Sequence, residues 1–198
     1  MVWVKVCGVG TTEDVMVAER AGADAVGLML ARSPRQITPE RARSLVAGTA
    51  CETIIVTVDA RPAEILDLVM FVACSGVQLH GAHAAEAGAA ARKAGLAVYR
   101  PVSVADGVDL STVPDDEIPL LDTAGETHGG TGKTFDWALT EGVERDFVLA
   151  GGLGPDNVAE AIRLTQAWGV DASSRLESSP GVKDHTLITR YVQEAKRS

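Results

Sequence analysis

The 198-residue sequence predicts an α/β fold, namely a compact single-domain (β/α)8 TIM barrel that spans residues 1–198. Eight short segments have the pattern of strands, a helical segment follows most of them, and similar glycine-led strand starts recur at 22–27, 76–81 and 169–174. Strands that alternate with helices indicate a parallel sheet, and eight such units indicate closure into a barrel. At roughly 25 residues per unit, this barrel would be unusually small.

An open, doubly wound sheet is the alternative to the barrel. Its dinucleotide-binding form needs a third glycine at a fixed offset in the loop after the first strand. Here Gly8 and Gly10 are followed by Thr11, so that fingerprint is absent. The barrel is therefore the favoured architecture.

Each predicted element follows from a local pattern. Alternating valines predict a strand at 2–7, and β-branched residues predict another at 53–58. Thr11 with Asp14 forms a capping box for a helix that ends near Arg20, and Pro39 after Thr38 starts another helix. The other predicted strands are 23–29, 76–80, 96–100, 118–122, 146–150 and 169–173, and the other predicted helices are 63–73, 84–94, 137–143, 155–166 and 185–196.

Composition narrows the class of protein. A net charge of −9 argues against non-specific binding of nucleic acid. The odd count of three cysteines, without metal-like spacing, predicts neither a disulfide set nor a metal site. We expect a cytoplasmic protein with no membrane partner, because signal-peptide features and bilayer-length apolar runs are absent. Positive charge for an anionic ligand must then be local, and the candidates are Lys5, Arg35, Arg100, Lys133, Arg175 and Lys183.

Polar, cysteine and glycine residues follow the predicted strands at the end where barrels place their chemistry. In chain order they are Cys7, Ser33-Pro34-Arg35, Asp59, His80-Gly81, Arg100, Asp122, Gly151-Gly152-Leu153-Gly154 and Ser173-Ser174-Arg175. The starts of the strands are mostly glycine, alanine and valine, so one end of the barrel resembles an active-site face.

Two of these residues form a candidate acid–base pair. Cys7 ends its strand with Lys5 two residues earlier on the same face, and a nearby ammonium group favours the thiolate. Asp122 ends an apolar strand, and apolar surroundings favour the protonated carboxyl that a general acid needs. The structural alternatives are a small buried hydrophobe for Cys7 and a loop cap for Asp122.

Glycine-rich loops form a candidate anion site. The run 129–137 places Gly132 and a lysine before a predicted helix start, and Gly151-Gly152 precedes another helix. Barrels often hold phosphate in the loops after strands seven and eight, which here adds Ser173-Ser174. Arg35 either binds a carboxylate bidentately or is a solvated arginine, and His80 is interpreted as structural.

These motifs occur in an order that resembles the phosphoribosylanthranilate isomerase family of tryptophan biosynthesis, over nearly the whole chain. The matching segments are Val6-Cys7-Gly8-Val9, Ser33-Pro34-Arg35, Val77-Gln78-Leu79-His80-Gly81, Leu120-Leu121-Asp122, Gly129 to Trp137, Leu149-Ala150-Gly151-Gly152-Leu153 and Gly169-Val-Asp-Ala-Ser-Ser174.

The resemblance implies a cofactor-free barrel that converts N-(5-phosphoribosyl)anthranilate to 1-(2-carboxyphenylamino)-1-deoxyribulose 5-phosphate by an Amadori rearrangement. It assigns Asp122 as general acid, Cys7 as general base and Arg35 as the ligand of the anthranilate carboxylate. It assigns phosphate binding to the loops at Gly132, Gly151-Gly152 and Ser173-Ser174. The implied partner is a small phosphorylated substrate, and a monomer or a homodimer both remain open.

The chain departs from the family pattern at three places. Gly10-Thr11 replaces a typical Thr and Arg or Asn, Arg175 replaces a typical glycine, and Asp59 stands where asparagine is common. The guanidinium of Arg175 could add a direct phosphate contact. These departures leave two alternatives: a paralogous barrel isomerase that acts on a related phosphorylated aminosugar, and a non-catalytic barrel that binds a phosphorylated ligand.

Overall fold

Parallel strands form a closed ring of eight in the computed structural model, which describes residues 1–124 and 134–198. In order around the ring they are β1 (Trp3–Cys7), β2 (Ala25–Met29), β3 (Glu52–Val58), β4 (Gly76–His80), β5 (Ala97–Val104), β6 (Ile118–Thr123), β7 (Val148–Leu149) and β8 (Gly169–Ala172). The ring closes where β8 pairs with β1 and places Asp171 opposite Lys5. The predicted (β/α)8 barrel is confirmed.

Helices pack around the ring and connect most of its strands. They are α1 (Thr12–Ala21), α2 (Pro39–Val46), α3 (Pro62–Val72), α4 (Ala84–Lys93), α5 (Val158–Thr165) and α6 (His185–Arg197). The capping box of Thr11 and Asp14 is present at the start of α1, and the Thr38 hydroxyl accepts from the Arg41 amide at the start of α2. Among these helices, none combines the length and the apolar character that a bilayer crossing needs.

The predicted helix at 137–143 is wrong. This segment forms only a 3-10 turn over Trp137–Thr140, capped by the Asp136 carboxylate and followed by Gly142 with φ +83. A left-handed glycine so close to the cap leaves no room for a second turn.

Side chains of β1 alternate between two environments. Val4 and Val6 face outward into the apolar layer under the helices, whereas Trp3, Lys5 and Cys7 face into the barrel. Along the barrel axis, Trp3 therefore lies at the bottom, Lys5 in the middle and Cys7 at the mouth of the barrel. Trp168 is 37% exposed and stacks on Trp3 at the bottom rim.

A short antiparallel hairpin follows β8 and was not predicted. It consists of β9 (Glu177–Ser179) and β10 (Val182–Lys183), preceded by a 3-10 turn over Ser174–Leu176. The strands have three and two residues, too few for an alternation pattern to be detected. At the tip, Gly181 has φ +84, and a Cβ there would collide with the Pro34 carbonyl oxygen. The hairpin is therefore packed closely against the loop after β2.

Candidate active site

A cavity of about 610 Å³ opens at the C-terminal end of the strands. Its lining includes most of the predicted site residues: Cys7, Arg35, Asp122, Gly151, Gly152, Ser173 and Ser174. Gly132 and Lys133 lie outside the described residues. The fold thus brings a thiol, carboxyl and guanidinium groups and two glycine- or serine-containing loops around a single space, which Arg32 and Asp171 also line.

Cys7 lies above a buried ion pair. The fully buried Lys5 Nζ donates to Asp171 Oδ2 at 2.7 Å and to Gln78 Oε1 at 2.8 Å. Burial raises the pKa of the Cys7 thiol above its ordinary value, although the Lys5 ammonium opposes this. The expected effect of Lys5 is present, but desolvation is the larger cause, and the Asp171 carboxylate partly offsets the lysine.

The Asp122 carboxyl is buried at the mouth of the barrel. Its Oδ1 accepts from the Thr123 amide at 2.8 Å, which favours the charged form. Burial nevertheless raises the pKa of the carboxyl to about 6, with a further contribution from the Asp171 carboxylate. With this pKa, roughly a tenth of the Asp122 carboxyls keep their proton at pH 7, and the protonated form is the one that a general acid requires.

Arg35 is held on three sides. Its amide donates to Ser33 Oγ at 3.1 Å, and its side-chain stem passes over Gly8, where a Cβ would come within 2.7 Å of Arg35 Cδ. Its guanidinium donates from Nε and Nη2 to the two carboxylate oxygens of Glu177 at 2.6 and 3.0 Å. With a side chain only 12% exposed, it is not the solvated arginine that the sequence allowed as an alternative.

The loop after β7 has the geometry of an anion site. Gly151 and Gly152 adopt φ of +81 and +64, and their amides have no hydrogen-bond acceptor within the described part of the chain. Consecutive amides in such a conformation form a concave site for anions. Asn157 and Arg175 fix the loop, because both donate to the Gly152 carbonyl, at 3.1 and 3.0 Å.

Arg175 does not line the cavity directly. Besides its bond to Gly152, its guanidinium lies 3.9 Å from the Asp156 carboxylate, and its stem packs where a Cβ on Gly154 would sit. The structure therefore places Arg175 behind the glycine loop, where it supports the loop backbone.

Two predicted mouth residues turn out to be structural. Arg100 points outward and forms a buried ion pair with Glu117, with Nη2 to Oε2 at 2.7 Å, so its prediction as an active-site cation is wrong. Asp59 adopts φ +56 and accepts from the Ala82 amide at 2.7 Å, so it shapes the loop after β4.

Sequence reasoning missed Glu177, Asp171 and Gln78. Strand alternation places Asp171 on the inward face beside Lys5 and would have identified it. Gln78 faces inward by the same rule on β4. Glu177 gave no such signal, because the hairpin that carries it is too short to be predicted.

A closed parallel barrel whose mouth combines a thiol, a raised-pKa carboxyl and an anion-binding loop defines a (β/α)8-barrel enzyme of acid–base chemistry. The family model described as N-(5'phosphoribosyl)anthranilate (PRA) isomerase matches residues 4–194. The chain belongs to this family.

Individual relatives agree over their whole length. An N-(5'-phosphoribosyl)anthranilate isomerase of Rubrobacter xylanophilus is 40% identical, with 99% of this chain and 100% of the relative covered. The crystal structure of phosphoribosyl anthranilate isomerase from Thermotoga maritima matches with a TM-score of 0.87 and 36% identity, covering 100% of both chains.

A further solved structure shows a related barrel with a ligand. It is a phosphoribosyl anthranilate isomerase in complex with reduced 1-(O-carboxyphenylamino)-1-deoxyribulose 5-phosphate, at a TM-score of 0.86 and 33% identity, with 100% of both chains covered.

Proposed function

We propose that this protein isomerises N-(5'-phosphoribosyl)anthranilate to 1-(2-carboxyphenylamino)-1-deoxyribulose 5-phosphate, with Asp122 as general acid and Cys7 as general base. The observation that carries these roles is that both side chains line one cavity, together with an arginine and a glycine-rich anion loop. Family membership supports the reaction, and the complex of the related isomerase with a reduced product supports a ligand of this class.

Substrate binding uses several of the loops that line the cavity. The phosphate is held by the amides of Gly151 and Gly152 and by the Ser173-Ser174 turn, with Gly132 as a further predicted contributor. Arg35 binds the anthranilate carboxylate, and the ribose lies between Cys7 and Asp122. Arg175 contributes by holding the Gly152 carbonyl.

The first chemical step opens the furanose ring. Asp122 donates its proton to the ring oxygen while the anthranilate nitrogen lone pair forms a C1=N bond and the C1–O bond breaks. The product is a protonated Schiff base and an ionised Asp122. Burial raises the pKa of Asp122 to about 6, which makes it a weaker acid but increases the fraction of molecules that carry a proton to donate near neutral pH.

The second step transfers a proton from carbon. The Cys7 thiolate removes the proton from C2, the C2–H electron pair forms a C1=C2 bond, and the nitrogen regains its lone pair. The resulting enolamine takes up a proton at C1 and loses the one on the C2 hydroxyl, which gives the ketone. Lys5 stabilises the thiolate through its charge, which is one of the causes that lower the pKa of Cys7.

The described site residues belong to a single chain, so the proposed reaction needs no second copy. A monomer and a homodimer are both compatible with it, and the Thermotoga maritima relative is described as dimeric. We place the protein in the cytoplasm, which fits its free cysteines and its biosynthetic family.

A paralogous isomerase of a related phosphorylated aminosugar is the second candidate. The observation that favours it is Arg175, which stands where the family pattern has glycine and supports the phosphate loop from behind. A changed loop support alters phosphate geometry, and with it the preference among phosphorylated sugars.

Genetic complementation separates these two functions. Expression in a bacterial tryptophan auxotroph that lacks this isomerase is expected to restore growth without tryptophan. Cys7→Ser and Asp122→Asn should abolish the rescue, whereas Cys51→Ser, a cysteine far from the cavity, should retain it. Rescue only of a histidine auxotroph that lacks the aminosugar isomerase would overturn the assignment in favour of the paralogue.

A further inference from the structure

We propose that Glu177 is the positioning residue that orients Arg35, so that the arginine presents one fixed edge to a substrate carboxylate. The inference rests on the proposed role of Arg35 as the carboxylate ligand. It assigns to the unpredicted hairpin β9–β10 a part in selecting substrates that carry a carboxylate.

Glu177 is built to hold a cation rigidly. Its side chain is 4% exposed and accepts from Arg35 Nε at 2.6 Å, Arg35 Nη2 at 3.0 Å and Lys183 Nζ at 3.0 Å. The Gly181 amide adds a fourth donor at 3.2 Å. Arg35 and Lys183 hold the pKa of this carboxyl below its ordinary value despite burial. Glu177 therefore stays ionised, and all of its bonds to Arg35 are charge-assisted.

The contact with Glu177 decides which part of the guanidinium is free. Glu177 occupies the side edge, formed by Nε and Nη2. The other edge, formed by Nη1 and the second N–H of Nη2, has no hydrogen-bond partner within residues 1–124 and 134–198, and Arg35 lines the cavity. A carboxylate can therefore still bind in the bidentate manner, but only end-on.

The hairpin is attached at both ends to the catalytic mouth. Its tip at Gly181 packs against the Pro34 carbonyl, next to Arg35. At its other end, Lys183 Nζ donates to the Ser173 carbonyl at 2.9 Å, and Ser173 Oγ donates to the Cys7 carbonyl at 3.1 Å. Glu177 thus fixes the arginine relative to the base and to the phosphate turn.

Two effects of removing Glu177 oppose each other. Loss of its negative charge leaves Arg35 and Lys183 uncompensated, which would attract any anion more strongly. Loss of its bidentate contact frees the guanidinium to rotate, so each binding event must order it again. We infer that losing the fixed orientation of Arg35 has a larger effect on binding than losing the charge of Glu177. The free edge of the Arg35 guanidinium can bind a carboxylate only while it faces the cavity. Glu177→Asp separates the effects, since it retains the charge but lacks the reach to both nitrogens.

The test is calorimetric binding of two ligands to the whole protein. One is reduced 1-(o-carboxyphenylamino)-1-deoxyribulose 5-phosphate, and the other is the same compound without the carboxylate. The ratio of the two affinities measures carboxylate recognition alone. Glu177→Gln and Glu177→Asp are each expected to lower this ratio about tenfold, with the affinity for the carboxylate-free ligand changed less than about twofold. Glu160→Gln, at an exposed pair on α5, is the control and should leave the ratio unchanged.

Three outcomes would overturn the inference. An unchanged ratio in both Glu177 variants excludes positioning, and a ratio that rises in Glu177→Gln alone shows that charge dominates. Equal weakening of both ligands shows that the hairpin is only a scaffold. Arg35→Ala separates this inference from the proposed function: if Arg35→Ala keeps the ratio, the role of Arg35 itself is wrong. If Arg35→Ala loses the ratio and the Glu177 variants keep it, only the positioning role fails.

Discussion

The burial of Asp122 lowers the stability of the folded protein and at the same time favours its proposed role as a general acid. Burial raises the pKa of its carboxyl to about 6, although the Thr123 amide stabilises the charged form. In the unfolded chain the same carboxyl titrates near its ordinary value, about 4. Between these two values the folded protein binds a proton that the unfolded chain does not, so the folded state loses stability as the pH rises to about 6.

Asp122→Asn should therefore stabilise the protein at pH 8 by about 2–3 kcal/mol, because the variant never buries the charge. The gain should shrink as the pH falls from about 6 and disappear below about 4, where the carboxyl is protonated in both states. Urea unfolding of both proteins at several pH values measures it. A gain that is independent of pH would contradict the titration account of Asp122.

The pKa of Cys7, the proposed base, lies above the pKa of Asp122, the proposed acid, which is the reverse of the order that would suit a simple acid–base pair. The thiol that must lose its proton has a raised pKa, and the carboxyl that must keep its proton has a pKa of about 6. At neutral pH the reactive combination of thiolate and carboxylic acid is a minority form. Its population stays constant between the two pKa values and falls on either side.

We expect kcat/KM to form a plateau that falls below a pH of about 6 and extends on the alkaline side beyond the range of an ordinary thiol. The plateau follows from the constant population of the minority form between the two pKa values. Initial rates from pH 5 to 10 with a mixed buffer at constant ionic strength test this. A maximum near pH 6 with a steady decline above it would show that Cys7 is not the base.

At the scale of elements, the loop after β7 depends on left-handed glycines. Gly151 has φ +81, and a Cβ there would collide with Thr123 and come within 2.9 Å of Asp122 Oδ1. Gly95, at the end of α4, has nearly the same φ of +82 but open space around it. A side chain would strain the backbone equally at Gly151 and Gly95, but only at Gly151 would it also collide with neighbouring atoms.

Gly95→Ala should cost about 1 kcal/mol of unfolding free energy from strain alone, with activity unchanged. Gly151→Ala should cost at least about 2 kcal/mol and lower kcat/KM by about tenfold or more, because it displaces both the proposed phosphate loop and Asp122, the proposed general acid. Thermal unfolding and initial rates of both variants decide this. Equal effects at the two positions would show that crowding at Gly151 is relieved without disturbing the site.

Arg175 supports the same loop from outside the cavity. Arg175→Gly removes the donor to the Gly152 carbonyl and is expected to raise KM severalfold with little change in kcat, since the loop binds phosphate in substrate and transition state alike. Steady-state kinetics measure the split, and Arg163→Gly, at an exposed pair on α5, controls for charge removal. If neither KM nor kcat moves, Asn157 alone is enough to hold the loop.

At the scale of the whole molecule, the barrel is layered along its axis. Trp3, Tyr99 and Leu120 belong to the apolar cluster at the bottom, Lys5 and Asp171 form a buried ion pair above it, and the cavity lies on top. A buried ion pair contributes little net stability, but removal of one partner leaves an uncompensated charge. The Lys5 ammonium therefore stabilises the Cys7 thiolate, but the stability of the fold then depends on Asp171 as its counter-ion.

Asp171→Ala should destabilise the fold by about 3–5 kcal/mol because it leaves the Lys5 ammonium buried without its counter-ion. The double variant Lys5→Met with Asp171→Leu should recover most of that stability while remaining inactive, since no ammonium then favours the thiolate. Chemical denaturation and turnover of the single and double variants check both statements. Full activity in the double variant would show that Lys5 is not needed to stabilise the Cys7 thiolate.

The sequence is sufficient to predict the barrel and most of its mouth, for identifiable reasons. Alternation in β1 separates outward valines from inward Lys5 and Cys7, and parallel strands bring Cys7 and Asp122 to the same edge. The net state of Cys7 was not predictable, because desolvation by surrounding residues exceeds the effect of the neighbouring lysine. Arg100 ends on the outer face because it follows the alternation of β5 into the pair with Glu117. Glu177 was missed because its hairpin is too short to carry a pattern.

The proposed function requires that Cys7 and Asp122 together carry out the isomerisation in this cavity. Turnover of freshly generated N-(5'-phosphoribosyl)anthranilate, followed as the loss of anthranilate-type fluorescence, tests it with the Cys7→Ser protein measured alongside. We expect rapid turnover by the parent protein and none by a folded Cys7→Ser variant. No turnover by the parent protein, or near-parental turnover by Cys7→Ser, would contradict it.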